Sequence, residues 1–278
     1  MQIARTLPDL IHHCTRLRQA RATLALVPTM GALHAGHRAI VDAAVGTGAA
    51  TVTSIFVNPL QFAPTEDLSR YPRDEAGDLA TLEACGCDLV WMPAVAAMYP
   101  PGGATTIDPA GPAERWEGTH RPGHFRGMAT VVAKLFGQVR PDAAFFGEKD
   151  WQQLQVVTRM VADLHLPLRI VGVPTVREAD GLALSSRNRF LSEIERRLAP
   201  RLYQTLSEAA HAIASGRCAA EPLQAAHAAL SGDGFGVDYL ALVDGPTLEP
   251  IAAARPGARL ITAARLGTVR LLDNVAVG

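Results

Sequence analysis

A strand–turn–helix pattern near the amino terminus constrains the fold of this chain more than any other stretch. The apolar run Ala22–Val27 predicts a buried strand, and Arg38–Ala44 has the composition of a helix. Between them lies the segment Pro28–His37, which carries two glycines and two histidines. In α/β proteins, ligands bind at the turn that follows a strand, and a helix N-terminus there attracts phosphate. The segment therefore predicts a phosphate-binding turn.

The residues of this turn suit an anionic ligand. His34 and His37 are three positions apart, which places both rings on one face of the first helical turn. Gly31 and Gly36 allow a ligand to approach the backbone closely. The alternative is a histidine pair that only caps the helix or binds zinc, but zinc would need two further ligands.

The pattern of strand followed by helix repeats along the first 174 residues. An amphipathic helix is predicted within residues 2–21, and a strand at Thr23–Val27 is followed by a helix that ends near Val45. Further strands are predicted at Ala50–Val57, Leu89–Met92, Ala143–Phe146 and Arg169–Val173, and helices at Asp74–Ala84, Met128–Val139 and Trp151–Leu164. This alternation predicts a Rossmann-like α/β fold, with a parallel sheet and helices on both of its faces.

Two stretches interrupt the alternation. A polar loop containing Pro64 precedes Tyr71, and residues 93–127 are rich in proline and glycine, with a short strand predicted near Thr105–Asp108. A connection as long as 93–127 is usually functional or has structure of its own.

The character of the sequence changes after Pro174. A polar loop over Thr175–Asn188 is followed by alanine-rich helices and then by short strands, predicted at Leu191–Ser215, Glu221–Leu230, Val237–Val243, Ala258–Arg265 and Thr268–Leu272. We therefore expect two domains: a Rossmann-like catalytic domain over 1–174 and a smaller α+β C-terminal lid domain over 175–278.

Composition excludes several classes of function. The net charge of −1 gives no basic surface for general nucleic-acid binding. No apolar run reaches the roughly 18 residues of a membrane span, and no apolar stretch typical of a signal peptide follows Met1. We expect a cytoplasmic protein with neither a nucleic-acid nor a membrane partner. The close pair Cys85 and Cys87 is expected to be two ordinary thiols, since a metal site would need a second cluster.

Two polar segments follow the later strands. Gly147-Glu148-Lys149-Asp150 is either a solvated turn or a nucleotide contact, in which Lys149 meets phosphate oxygens and Asp150 meets ribose hydroxyls. Leu184-Ser185-Ser186-Arg187-Asn188 is either a helix-capping cluster or a clamp for a polyphosphate, made of two hydroxyl groups and a guanidinium.

Two glutamines could belong to a substrate pocket. Gln61 follows the second predicted strand and Gln153 begins the helix after the fourth, so both can face one cleft instead of serving as surface residues. Neutral amides recognise hydroxyl and carboxylate groups without adding charge. No motif for a covalent nucleophile is present, neither a nucleophile elbow nor a Walker loop.

These motifs together resemble a known family. In order over residues 28–188, the chain is similar to the pantothenate synthetases (pantoate–β-alanine ligases) of the HIGH-type nucleotidylyltransferase superfamily. The matching segments are Pro28–His37, Ser54–Phe62, Tyr71–Arg73, Arg121–Phe125, Phe145–Asp150 and Pro174–Asn188.

The resemblance implies an enzyme that joins pantoate to β-alanine through a pantoyl adenylate, with ATP as substrate and AMP and pyrophosphate as products. It also implies Mg²⁺ held mainly by the phosphates, no metal-binding side chains, and a homodimer. The implied ATP contacts are Met30, Gly31, His34, Gly36, His37, Gly147, Glu148, Lys149, Asp150, Val176, Leu184, Ser185, Ser186 and Arg187. The implied substrate contacts are Gln61 and Gln153, to which we add Asn58 and Tyr71 from the matching segments.

The catalytic work is expected to fall on the donors and cations among these residues. They are His34, His37, Lys149, Ser185, Ser186 and Arg187, and His37 matches the residue usually given the role of proton donor. Two positions depart from the family pattern, because Leu60 and Leu184 stand where methionine is common. Both changes keep the side chain apolar and similar in volume, so they affect the shape of the pocket and not the chemistry.

Two other classes of function compete with this one. Another adenylate-forming enzyme on the same scaffold, such as a nucleotide adenylyltransferase or an aminoacyl-tRNA synthetase, is disfavoured by the balanced charge and by the glutamines. A non-enzymatic nucleotide-binding module would be expected to have lost the histidine pair or Lys149, and the chain has kept both.

Overall fold

The structure is a computed structural model that describes residues 1–62, 68 and 71–278. These residues form two compact units, one of 1–148 with 156–174 and the other of 149–155 with 175–278. The boundary between the units passes through the helix Trp151–Asp163. The predicted division into two domains after Pro174 stays a prediction, and the predicted loop around Pro64 lies outside the described residues.

The first unit is built on a parallel sheet. Its described strands are β1 (Gln2–Ala4), β2 (Leu24–Thr29), β3 (Ala50–Ile55), β4 (Leu89–Trp91), β5 (Ala143–Gly147) and β6 (Arg169–Val173). The helices that connect them are α1 (Leu7–Arg21), α2 (Ala35–Val45), α3 (Glu75–Ala84), α4 (Val95–Met98), α5 (Glu117–His120), α6 (His124–Val139) and α7 (Trp151–Asp163). The predicted Rossmann-like α/β fold is confirmed.

Both faces of this sheet are buried. Successive side chains of a strand point to opposite faces, so Ala25 and Val27 of β2 pack with Val41 of α2 and Leu82 of α3. Trp91 points to the other face, where its indole N–H donates to Gln138 of α6 at 3.0 Å. The inner strands are mainly apolar because a parallel sheet is covered on both sides, and β3 also buries two threonines and a serine.

The strand order fixes where a ligand can bind. The order is β1-β4-β3-β2-β5-β6. After β2, the next two strands of the chain are added on one side of it, and β5 and β6 are added on its other side. A crevice opens at the carboxyl ends of the strands where the order reverses, here between β2 and β5. The segment Met30–His37 follows β2, and Glu148 follows β5.

The second unit contains a small antiparallel sheet. Its described strands are β7 (Gly236–Asp244), β8 (Ala258–Leu266) and β9 (Val269–Ala276), paired in that order. Its helices are α8 (Glu193–Leu198), α9 (Arg201–Ala214) and α10 (Ala220–Gly232). Leu206 of α9 and Leu230 of α10 pack against Leu271 of β9 and form its core.

Three predictions of secondary structure were wrong. The chain begins with the strand β1 where only a helix was predicted, and no strand forms at Thr105–Asp108. The single helix predicted over Leu191–Ser215 is two helices: α8, which is capped by Ser192, and α9, which begins after Pro200. Proline lacks the N–H that a continuous helix would need.

The cysteine pair is buried in the first unit. The Sγ atom of Cys87 lies 3.3 Å from Oγ1 of Thr53. Burial raises the pKa of the Cys85 thiol to about 11 and also raises the pKa of Cys87. Both thiols are therefore protonated at neutral pH, a state of low reactivity. Among the helices described, none has the length and apolar character needed to cross a bilayer.

Candidate active site

The histidine pair is built into the start of α2. His34 is the N-cap residue, and its Nδ1 accepts a hydrogen bond from the N–H of Gly36 at 3.1 Å. Nδ1 of His37 accepts from the N–H of His34 at 3.4 Å, and the two ring centroids lie 4.1 Å apart. Because each Nδ1 is an acceptor, each neutral ring carries its proton on Nε2. The turn thus supplies two imidazole donors at a helix N-terminus.

A buried carboxylate holds the turn that precedes this pair. Asp78 of α3 is 4% exposed and accepts hydrogen bonds from the N–H groups of Ala32 at 2.9 Å and Leu33 at 2.7 Å. Gly31 and Ala32 both have positive φ, at 80° and 53°. The left-handed backbone costs an alanine about 1–2 kcal/mol, which the two charge-assisted hydrogen bonds offset.

Space around Gly31 is closed by the same carboxylate. A Cβ atom added to Gly31 would lie 2.8 Å from Oδ2 of Asp78. Sequence reasoning missed Asp78, although a signal exists: it is an acid four residues before Leu82 and seven before Cys85, on the buried stripe of α3.

Two of the predicted substrate residues of the first unit, Asn58 and Gln61, belong to one hydrogen-bonded group. Nδ2 of Asn58 donates to Oε1 of Gln61 at 3.1 Å, and Nε2 of Gln61 donates to Sδ of Met30 at 2.9 Å. The hydroxyl of Tyr99 donates to Oδ1 of Asn58 at 2.7 Å. The structure therefore brings Met30, Asn58 and Gln61 together and adds Tyr99, whose pKa burial raises to about 12.

The backbone of this group is fixed by α6 and the residues before it. The carbonyl of Gln61 is 2.9 Å from Nδ1 of His124 and accepts from Arg121 at 3.4 Å. The carbonyl of Gly127 accepts from Nδ2 of Asn58 at 3.1 Å. The segment Arg121–Phe125 matched the family pattern in the sequence, but no role was assigned to it. Tyr71 is buried, and its ring packs edge-on against that of Phe62, with the ring centroids 5.9 Å apart.

A cavity of about 290 Å³ lies at the carboxyl ends of β2, β3 and β4. Its walls include Met30 and Gly31, which are predicted ATP contacts, together with Asp78. Arg73 and Asp74 also line it, although the sequence pattern assigned them no role. This edge of the sheet therefore has a recess beside the predicted nucleotide-binding turn.

The remaining predicted residues belong to the second unit, except for Gly147 and Glu148. Nζ of Lys149 lies 3.3 Å from Oδ1 of Asp150, and the Lys149 side chain is 20% exposed. The indole N–H of Trp151 donates to the carbonyl of Gly245 at 2.8 Å. Gln153 is half-buried in the first turns of α7.

The segment Leu184–Asn188, which was predicted to bind a polyphosphate, follows a short hairpin. Arg177 bridges to Ala183, and the N–H of Leu184 donates to the carbonyl of Val176 at 3.0 Å. Oγ of Ser185 accepts from the N–H of Arg187 at 3.3 Å and caps a 3₁₀ turn over Ser186–Phe190. The predicted site residues thus fall into two groups, one in each unit.

Comparison with known proteins identifies the family. The model of the family described as Pantoate-beta-alanine ligase matches residues 2–276. The chain belongs to this family. Pantothenate synthetases from Granulibacter bethesdensis and Acidiphilium cryptum are 61% and 57% identical to it. The alignments cover 99% of this chain and 96% of the first relative, and 100% of this chain and of the second.

Solved structures of pantoate–β-alanine ligases share the fold. The pantothenate synthetase from Thermus thermophilus is 49% identical with a TM-score of 0.94, covering 100% of this chain and 99% of that one. The ligase from Francisella tularensis, solved in complex with beta-gamma ATP and beta-alanine, is 31% identical with a TM-score of 0.83, covering 99% and 97%. The family predicted from the motifs is therefore confirmed.

The Asp78 contacts predict a specific loss of stability. Asp78→Ala should lower the free energy of unfolding by about 2–6 kcal/mol, because it leaves two N–H groups unpaired and each costs about 1–3 kcal/mol. Asp78→Asn keeps one acceptor oxygen and should cost about half as much. Urea denaturation measures both. Glu83→Gln changes an exposed acid of the same helix and should stay within about 0.5 kcal/mol of the parent. Equal effects at positions 78 and 83 would contradict the assigned contacts.

The packing of α6 against residues 60–61 gives a second prediction. A Cβ atom on Gly127 would lie 2.1 Å from the carbonyl oxygen of Leu60, so Gly127→Ala should destabilise the protein by about 1–3 kcal/mol. The matched change Gly137→Ala in the same helix meets no atom within 4 Å and should stabilise it by up to about 1 kcal/mol. Thermal denaturation of the two variants compares them directly. A stable Gly127→Ala protein would refute the close approach.

Proposed function

We propose that this chain catalyses the ATP-dependent condensation of pantoate with β-alanine to give pantothenate, with AMP and pyrophosphate as the other products. The observation that carries the proposal is the pair His34 and His37, whose Nδ1 atoms accept hydrogen bonds from backbone N–H groups at the N-terminus of α2. This donor pair stands beside the switch point of the sheet in a chain that matches the ligase family over 2–276. The related enzyme from Francisella tularensis was solved with beta-gamma ATP and beta-alanine.

In the first step, the pantoate carboxylate attacks the α-phosphorus of ATP and pyrophosphate leaves. A carboxylate is ionised at pH 7, so this attack needs no general base. The barrier comes from bringing two anions together and from charge that builds on the phosphates, so donors and cations are what the step needs. The chain offers them as His34, His37, Lys149, Ser185, Ser186 and Arg187.

The amide group of the first unit suits the pantoate subsite. Gln61 is held on both sides of its amide, by Asn58 and by Met30, so its orientation is fixed before a ligand arrives. A fixed neutral amide can bind a hydroxyl group or carboxylate without adding charge to a site that must also hold ATP. We expect Gln153 and Tyr71 to complete this subsite.

In the second step, the β-alanine amine attacks the acyl carbon of the pantoyl adenylate and AMP leaves. The amine must first lose a proton, because its pKa is near 10. The adenylate hydrolyses if water reaches it, so we expect the segment Ser185–Asn188 to close over it as part of a C-terminal lid.

The proposal also covers the metal ion that accompanies ATP, the oligomeric state of the protein and its location in the cell. Mg²⁺ enters as part of the Mg–ATP substrate and is held mainly by phosphate oxygens, since this ion keeps its waters and favours phosphates. No group of three or more potential metal-ligating side chains occurs in the described part of the chain. We expect a homodimer in the cytoplasm, as the family resemblance implies.

Isotope exchange between pyrophosphate and ATP tests the function. The wild-type protein should catalyse exchange that depends on pantoate, and release AMP only when β-alanine is also present. His34→Ala and Lys149→Ala should each lower the exchange rate about 10²–10³-fold while remaining folded, because each removes one donor to the developing charge.

The control for this experiment is His211→Ala, which removes an exposed imidazole on α9 and should leave exchange unchanged. Exchange without pantoate would instead favour a nucleotide-binding protein of another specificity. Near-normal exchange in both the His34 and Lys149 variants would refute the roles assigned to them.

A further inference from the structure

Two adjacent polar residues of β9 are almost fully buried. Asp273 and Asn274 are each 4% exposed. Neighbouring side chains of a strand point to opposite faces, so polar burial at both positions means that each face of β9 is covered here. Buried polar groups need hydrogen-bond partners, and these two side chains bond Arg177, the Lys149 carbonyl and Arg259 of β8.

Asp273 holds the base of the hairpin that leads to Ser185. Both of its carboxylate oxygens accept hydrogen bonds from Arg177, at 2.7 and 2.9 Å. The Arg177 guanidinium also stacks on the ring of Tyr203 at 3.6 Å and donates to the carbonyl of Gly181 at 3.1 Å. A bidentate pair with one stacked face leaves the arginine a single orientation.

Arg177 lies on the first arm of that hairpin. It bridges to Ala183, one residue before Leu184 and two before Ser185. Gly181, at the turn, has a φ of 94°, and a Cβ atom there would lie 2.7 Å from the Tyr203 ring. The ion pair of Arg177 with Asp273 therefore fixes the hairpin from which the predicted polyphosphate segment extends.

Asn274 holds the segment that carries Lys149. Its Nδ2 donates to the carbonyl oxygen of Lys149 at 2.9 Å. Its Oδ1 accepts from Arg259, whose guanidinium stacks on the ring of Trp151 at 3.5 Å. Lys149 and Trp151 are thus anchored to the small sheet on both sides of Asp150.

We propose that Asp273 and Asn274 are positioning residues that hold the lysine at 149 and the segment at 184–187 in one fixed arrangement. This rests on the proposed function for the roles of Lys149 and of that segment. The two segments are about 35 positions apart in the chain. The dipeptide bonds the first segment at the Lys149 carbonyl, and it bonds the hairpin that leads to the second segment at Arg177. Neither Asp273 nor Asn274 touches substrate in this account: they act through Lys149 and Arg177.

The primary variant is Asn274→Ala, which removes the hydrogen bond to the Lys149 carbonyl. Pantoate-dependent exchange should fall about 10- to 100-fold in kcat, because small displacements of a positioned group have effects of this size. In the Lys149→Ala background, the same change should lower kcat by less than about threefold, since its effect passes through that lysine. If the double variant instead shows the product of the two single losses in kcat, the proposal is overturned.

The matched control is Asp238→Asn, on β7 of the same sheet. Asp238 pairs with Arg270 at 2.6 Å, and the two side chains are 16% and 15% exposed. This change removes a half-buried ion pair from the sheet without touching Lys149 or Arg177, so exchange should stay within about twofold. An equal loss in the Asp238 and Asn274 variants would reduce Asn274 to a structural role and overturn the proposal.

A readout that needs no turnover separates this proposal from the proposed function. The chain has two lysines, Lys134 and Lys149, so acylation by an amine reagent can be compared at both by mass spectrometry. ATP should protect Lys149 and not Lys134 in the wild type, and Asn274→Ala should weaken that protection at least fivefold.

Deuterium uptake supplies the second such readout. Asn274→Ala should speed deuterium uptake in peptides over 147–155, and Asp273→Asn should speed it in peptides over 176–187. Asp238→Asn should change the uptake of neither set of peptides. If the wild type lacks pantoate-dependent exchange but the uptake follows this pattern, the proposed function fails and the positioning stands. Unchanged uptake in both peptides overturns the positioning, whatever the activity.

Discussion

The buried carboxylate of Asp78 is the interaction on which the predicted nucleotide-binding turn depends. The chain leaves β2 through two residues of positive φ, Gly31 and Ala32, and must then begin α2 with His34 already in place. The N–H groups of Ala32 and Leu33 have no strand or helix partner within the turn, and Asp78 accepts both. One side chain from α3 thus converts a strained connection into a rigid one.

The same principle operates in the second unit with different residues. There the segments that carry Lys149 and Ser185 are fixed by Asn274 and Asp273 of β9. In both units, the groups expected to meet phosphate lie on turns, while the groups that hold those turns lie on helices and strands. Rigid support of this kind is what positional and electrostatic catalysis requires, because the donors need not reorganise as charge develops.

Much of the fold could be predicted from the sequence because hydrophobic periodicity and turn residues act locally. The strands β2 and β5 are runs of mainly apolar residues, and β3 and β6 are rich in β-branched residues, a composition typical of a parallel sheet. The three residues of β1 are too few to show a period, and their strand character comes from pairing with β4. The roles of Asp78 and Asn274 could not be predicted from the sequence for a related reason. The backbone groups that they bond lie 45 to 125 residues away along the chain, and only folding brings them together.

The central claim is that the pantoate carboxylate attacks ATP at its α-phosphorus and forms an acyl adenylate. Pantoate labelled with ¹⁸O in its carboxylate tests this most directly. The bridging oxygen stays with the nucleotide when the β-alanine amine attacks the acyl carbon, so mass spectrometry of the products should find one ¹⁸O atom in AMP. Label in inorganic phosphate together with ADP, or AMP without label, would contradict the account.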